Sequence, residues 1–161
     1  MIVAKYLLRG AAAAALGLCL GAPVNAADIT VKNAWMRPVR AGATAAGVYV
    51  DILTNVPLKL VGASSRVAKS AAIVVVDQKL DGTRVDNVVK EFALPAGTET
   101  RFAYNGNRID LYDIGETLTP GASVPLTLVF VEGPDKRQSV DIDVLVRGVI
   151  LPPSESEAKP N

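Results

Sequence analysis

LTLVFVEGPDKRQSVDIDV, residues 126–144, decides the fold class. Leu126, Leu128 and Phe130 recur at every second position. After Glu132-Gly133-Pro134-Asp135, a turn by composition, Val140, Ile142 and Val144 do the same, with Ser139, Asp141 and Asp143 between them. A period of two is the mark of extended chain with one face buried and one wet. The two runs therefore read as a hairpin with Val140, Ile142 and Val144 inward and the two aspartates outward.

Upstream of this hairpin the same grammar continues. Short apolar runs punctuated by Gly, Pro and Asn cover Ile29–Trp35, Gly47–Leu53, Leu58–Ser64, Ala71–Asp77, Arg84–Phe92, Thr100–Tyr104 and Arg108–Tyr112. Asp81-Gly82 and Asn105-Gly106 are tight-turn dipeptides between neighbouring runs. No stretch has the 3.6-residue period of a helix, and there is no internal repeat. About nine short strands at near-regular spacing predict an all-β sandwich. Ile73-Val74-Val75-Val76 is apolar on both faces, so it reads as a covered central strand or one whose outer face meets something else.

The first 26 residues read as a signal peptide. Lys5 and Arg9 precede an apolar run from Ala11 to Leu20, and Val24-Asn25-Ala26 supplies small residues for cleavage after Ala26. The run is short of the roughly 20 residues an anchor needs. Leu16-Gly17-Leu18 before Cys19 is an alternative, lipidation-type reading, with Leu18 a poor fit where a small residue is usual. The expected organisation is a signal peptide at 1–26, one domain at 27–151 and a polar, disordered tail at 152–161. Loss of Lys5 and Arg9 takes the formal charge from +1 to −1. No basic block remains to suggest nucleic acid or an anionic membrane, and no membrane span is expected in the mature chain. Cleavage also removes the one cysteine, so no disulfide staples the domain.

The chemistry is sparse. The chain has no histidine, and Met36 is the only methionine besides Met1. There is no imidazole for proton transfer near neutral pH, no mature thiol and no phosphate-cradling glycine loop. Ser156-x-x-Lys159 matches a nucleophile pattern, but it lies in the polar tail. An enzyme is not expected.

Several stretches in order resemble the periplasmic copper chaperones of the PCu(A)C family. They are Val31-Lys32-Asn33-Ala34-Trp35-Met36-Arg37-Pro38; Ala46-Gly47-Val48-Tyr49 with Ile52 and Asn55; Leu60-Val61-Gly62-Ala63-Ser64-Ser65; Leu94-Pro95-Ala96-Gly97; and Val124-Pro125-Leu126-Thr127-Leu128-Val129-Phe130. The resemblance implies a cupredoxin-like Greek-key sandwich in the periplasm, with copper delivered toward a respiratory oxidase. It also implies one copper(I) held by a His, a Met about ten residues on, and a His-x-Met pair. On this chain those positions fall on Val74 (or Val75), Asp86 (or Val85), Arg108 and Asp110. None is a soft donor of the kind copper(I) requires, and Met36 alone cannot hold the ion.

No cofactor is therefore expected. Asp86, Arg108 and Asp110, with Val74 and Val75 beside them, are expected to form an ion cluster in place of the metal, and a candidate surface for an envelope partner. Calcium fits poorly, since it wants six or more oxygens and Arg108 would repel it. The expected function is a binding module without the copper site, still serving copper-oxidase assembly through protein contacts. The alternative is an envelope protein binding a small molecule or partner unrelated to copper.

Overall fold

The computed structural model describes residues 27–148. The expected signal peptide and the expected tail lie outside the described residues. Ten strands form the domain: β1 Ile29–Met36, β2 Ala45–Thr54, β3 Leu58–Ser64, β4 Ser70–Gln78, β5 Arg84–Val89, β6 Phe92–Leu94, β7 Thr100–Phe102, β8 Arg108–Tyr112, β9 Ser123–Glu132 and β10 Lys136–Val146. Hydrogen bonds link them in the order β5-β4-β8-β2-β1-β10-β9-β3-β6, with β7 added on β2. Among the described strands all pairings are antiparallel except β1 with β10.

β5 and β6 stand at opposite ends of this path, yet only Lys90 and Glu91 separate them in sequence. The sheet must therefore fold over on itself, which makes a sandwich. The expected single run Arg84–Phe92 is thus two strands. Its break is where the chain leaves one layer for the other, and Phe92 then packs on Phe102 with ring centroids 5.1 Å apart.

The core lies between the layers. Alternation supplies it: Val48, Val50 and Ile52 from β2, Ile109 and Leu111 from β8, Leu126, Leu128 and Phe130 from β9, and Val144 and Val146 from β10 are all buried. The terminal hairpin has the expected register, with Ile142 opposite Leu126 and Val144 opposite Val124. Val140 and Ile142 are partly buried and pack against the core, while Asp141 and Asp143 face out.

β1 departs from strict alternation, and the departure matters. Its register slips between Lys32, opposite Asp51, and Trp35, opposite Tyr49. Asn33 takes a left-handed backbone (φ 52°) and donates from Nδ2 to Asp51 Oδ2 at 2.8 Å. Asn tolerates this conformation better than most residues, and a bulge re-aims the side chains that follow it. Trp35 now shares the outer face with Tyr49, and Met36 turns to the core. Met36 is 0% exposed, so its thioether is fully enclosed and its sulfur is not offered at the surface.

Candidate functional site

Arg108 and Asp110 alternate on β8 with Ile109 and Leu111, which are buried in the core. The two polar side chains and Tyr112 therefore share the opposite, outer face. Cross-strand partners lie on one face. Arg108 is opposite Val74, and Asp110 is opposite Ala72 of β4 and Gly47 of β2. Asp86 on β5 is opposite Val76, one pleat further along the same face.

The three charged residues meet. Arg108 Nη2 donates to Asp86 Oδ2 at 2.5 Å, and Arg108 Nε donates to Asp110 Oδ1 and Oδ2 at 2.9 and 3.1 Å. Tyr112 adds a long 3.5 Å contact from its hydroxyl to Asp110 Oδ2. The Arg108 side chain is 21% exposed and spans from β8 across β4 to β5. Its hydrogen bond to Asp86 is the main cause that raises the guanidinium pKa above its ordinary value, against a desolvation penalty. The same bond holds the Asp86 carboxyl below the usual aspartate range. Arg108 and Asp86 are both charged at any physiological pH. Asp86 itself is exposed, so salt screens its end of the bridge.

Val74 is 2% exposed. It sits on the polar face but is covered, so it offers no contact surface. Val75 has the opposite parity and turns toward the other face, half-buried. The exposed apolar side chain beside the cluster is instead Val88, opposite Val74 and 69% exposed.

Next to this cluster lies a feature the sequence reading missed. Trp35 and Tyr49 are in ring contact at 4.5 Å, and Tyr49 meets Tyr104 edge-on at 5.8 Å. Arg37 lies over Tyr104 at 4.9 Å and donates to its hydroxyl at 2.6 Å, while Arg147 lies over Trp35 at 5.9 Å. The Tyr49 hydroxyl crosses Gly47 so closely that a Cβ there would stand 2.9 Å from it and 3.3 Å from Asp110 Oδ1. Glycine at 47 is what lets the ring lie flat over the strand. Burial, and then Tyr104, push the Tyr49 pKa up, while Arg108 and Arg37 pull it back. The only sequence signal for this row was the spacing Gly47, Tyr49, Asp51 on one face of β2. The bulge that brings Trp35 into it is invisible to a period count.

The site does not fit copper(I). Its donors are two hard carboxylates already bound to a guanidinium, and neither thioether nor imidazole is present. Among the described residues no group of three or more His, Cys, Asp or Glu is placed to hold a metal ion. A calcium ion would have to displace Arg108 from both aspartates. Nor is any helix among the described residues long and apolar enough to cross a membrane.

The fold is the cupredoxin-like sandwich of PCuAC domains. An apo PCuAC domain from PmoF1 superposes with a TM-score of 0.61 at 25% identity, covering 75% of this chain and 94% of that one. A copper-bound PCuAC domain from PmoF2 gives 0.60 at 24% identity, with 75% and 93% coverage. Apo-DR1885 from Deinococcus radiodurans gives 0.56 at 21% identity, with 93% and 96% coverage. No curated protein matches the chain. The family model described as "Putative lipoprotein LpqE-like" matches residues 29–144, which is most of the domain, and the chain belongs to that LpqE-like family.

Proposed function

We propose that this protein is an exported binding module on a PCuAC-type scaffold that has given up copper and acts through protein contacts. One observation carries the reading. Arg108 lies between Asp86 and Asp110, opposite Val74. These are the positions on which the copper ligands of the resembling family fall. A metal clamp between strands is replaced by an ion-pair clamp between the same strands. A role in copper-oxidase assembly, if retained, runs through docking and not through carried metal. The lack of an imidazole, a mature thiol or an accessible thioether supports a binding role over an enzymatic one.

The test is a titration of the purified domain against a copper(I) chelator of known affinity. No stoichiometric copper(I) binding tighter than micromolar is expected. One tightly held equivalent would overturn the reading.

Export has two forms here. Cleavage after Ala26 would release a soluble periplasmic domain. A second form, in keeping with the matched family's description as a putative lipoprotein, would have Cys19 carry the anchor, with Leu18 a poor fit before it. We expect intact mass of the processed protein to begin at Ala27. A diacylated Cys19 at the N-terminus would establish the tethered form instead. Retention of an unmodified Cys19 would rule out both.

A further inference from the structure

We propose that the aromatic row on the outer face, capped by Arg37 and Arg147, is the docking surface for an acidic peptide segment of a partner protein. This rests on the binding-module reading above and names the partner's chemistry. The row is Arg147, Trp35, Tyr49, Tyr104, Arg37. It is drawn together from distant parts of the chain. Arg147 and Arg37 each follow one member of the parallel β1–β10 pair Met36–Val146, and Arg147 N donates to Met36 O at 2.9 Å.

Three properties distinguish this face from an ordinary wet sheet surface. First, the row is open at its edges: Tyr104 is 50% exposed and Leu145, opposite Trp35, is 43% exposed, while Tyr49 between Trp35 and Tyr104 is covered. Second, no carboxylate lies within ion-pair distance of Arg37 or Arg147 among the described residues, whereas Arg101 and Arg108 are each paired twice. Arg40, which also has no carboxylate at ion-pair distance among the described residues, lines an open cleft with Arg37 beside Gly148. Third, both capping guanidinia are already held over rings, and Arg37 is also bonded to Tyr104. Their ordering cost is partly met before anything binds.

Charge complementarity sets the occupant. Planar guanidinia held in place suit carboxylates, which they take through two parallel hydrogen bonds. The exposed Tyr104 and Leu145 beside them suit an apolar side chain. Arg37 and Arg147 leave neighbouring strands side by side after the Met36–Val146 pair, so neighbouring carboxylates of one segment can meet both. A membrane or nucleic acid would be met by a continuous basic field. Here Asp110 borders the row beside Tyr49, and the chain from residue 27 carries a formal charge of −1.

Trp35 is the only tryptophan, so its fluorescence reports this face directly. The probe is a synthetic peptide with paired glutamates flanking a leucine, Glu-Glu-Gly-Leu-Gly-Glu-Glu. Its glutamine counterpart is the control. A saturable change in Trp35 emission is expected with the glutamate peptide, weakening as salt rises. Arg37→Gln with Arg147→Gln should raise the apparent Kd at least tenfold, while Arg137→Gln, at an exposed site on β10, leaves it unchanged. No saturation up to millimolar peptide, or equal response to the glutamine peptide, would overturn the proposal. Saturation by anionic phospholipid vesicles but not by peptide would assign the face to a membrane and also overturn it. A Trp35 change on deleting residues 149–161, without any peptide response, would give the face to the chain's own Glu155 and Glu157. The copper(I) titration does not involve Arg37 or Arg147, so failure here leaves that result standing.

Discussion

Phe130→Ala is expected to lower the unfolding free energy by about 3–5 kcal/mol, read as a shift in the denaturant midpoint. Phe130 is 0% exposed and sits mid-strand on β9, opposite Leu60 of β3 on one side and Gln138 of β10 on the other. Both neighbours are fixed by their own ladders, so the cavity cannot close by collapse. Stability of a domain this size is about 5–15 kcal/mol, so one such change removes a large share of it. Ile142→Ala should cost less, near about 2 kcal/mol, because its side chain is only partly buried. Asp141→Ala should cost no more than about 1 kcal/mol. It loses an exposed hydrogen bond from Thr127 at 2.6 Å and no packing. Equal losses for all three would mean that the register of β9 and β10 is wrong.

That ordering was readable from alternation alone, because each position's face follows from its neighbours in the same window. The bounds of β3 and β8 were also legible, since turn residues and charge mark both ends. What escaped depended on contacts between windows. The Arg84–Phe92 run looked continuous because nothing local says that Lys90 and Glu91 carry the chain from one layer to the other. The bulge at Asn33 rests on a single positive φ and on Asp51, eighteen residues away. Without it, counting by twos assigns Trp35 and Met36 to the wrong faces, and the aromatic row does not form. Val74 shows the same limit. Its parity places it beside Arg108, but its burial is set by what lies over it from other strands.

Replacing all four positions should restore what the chain lacks. A domain carrying Val74→His, Asp86→Met, Arg108→His and Asp110→Met is expected to bind one copper(I), with affinity raised at least about a thousandfold, or ~4 kcal/mol. The geometry motivates this. Asp86 and Asp110 already converge within 2.9 Å of one guanidinium, and Val74 is the cross-strand partner of its residue. Side chains of similar reach at those positions would converge on one point. Exchanging carboxylates and guanidinium for thioethers and imidazoles changes the donor set from hard to soft, which is what copper(I) selects. The change is balanced electrostatically, because both anions and their shared cation leave together. No buried charge is stranded, so the fold should survive. Arg108→His alone is the discriminating control. It leaves two carboxylates beside one imidazole and should not compete with the chelator for copper(I). If the fourfold variant folds and still fails to take copper, these four positions are not the vacated site. The ion pair would then be an ordinary surface clamp, with no metal in its past.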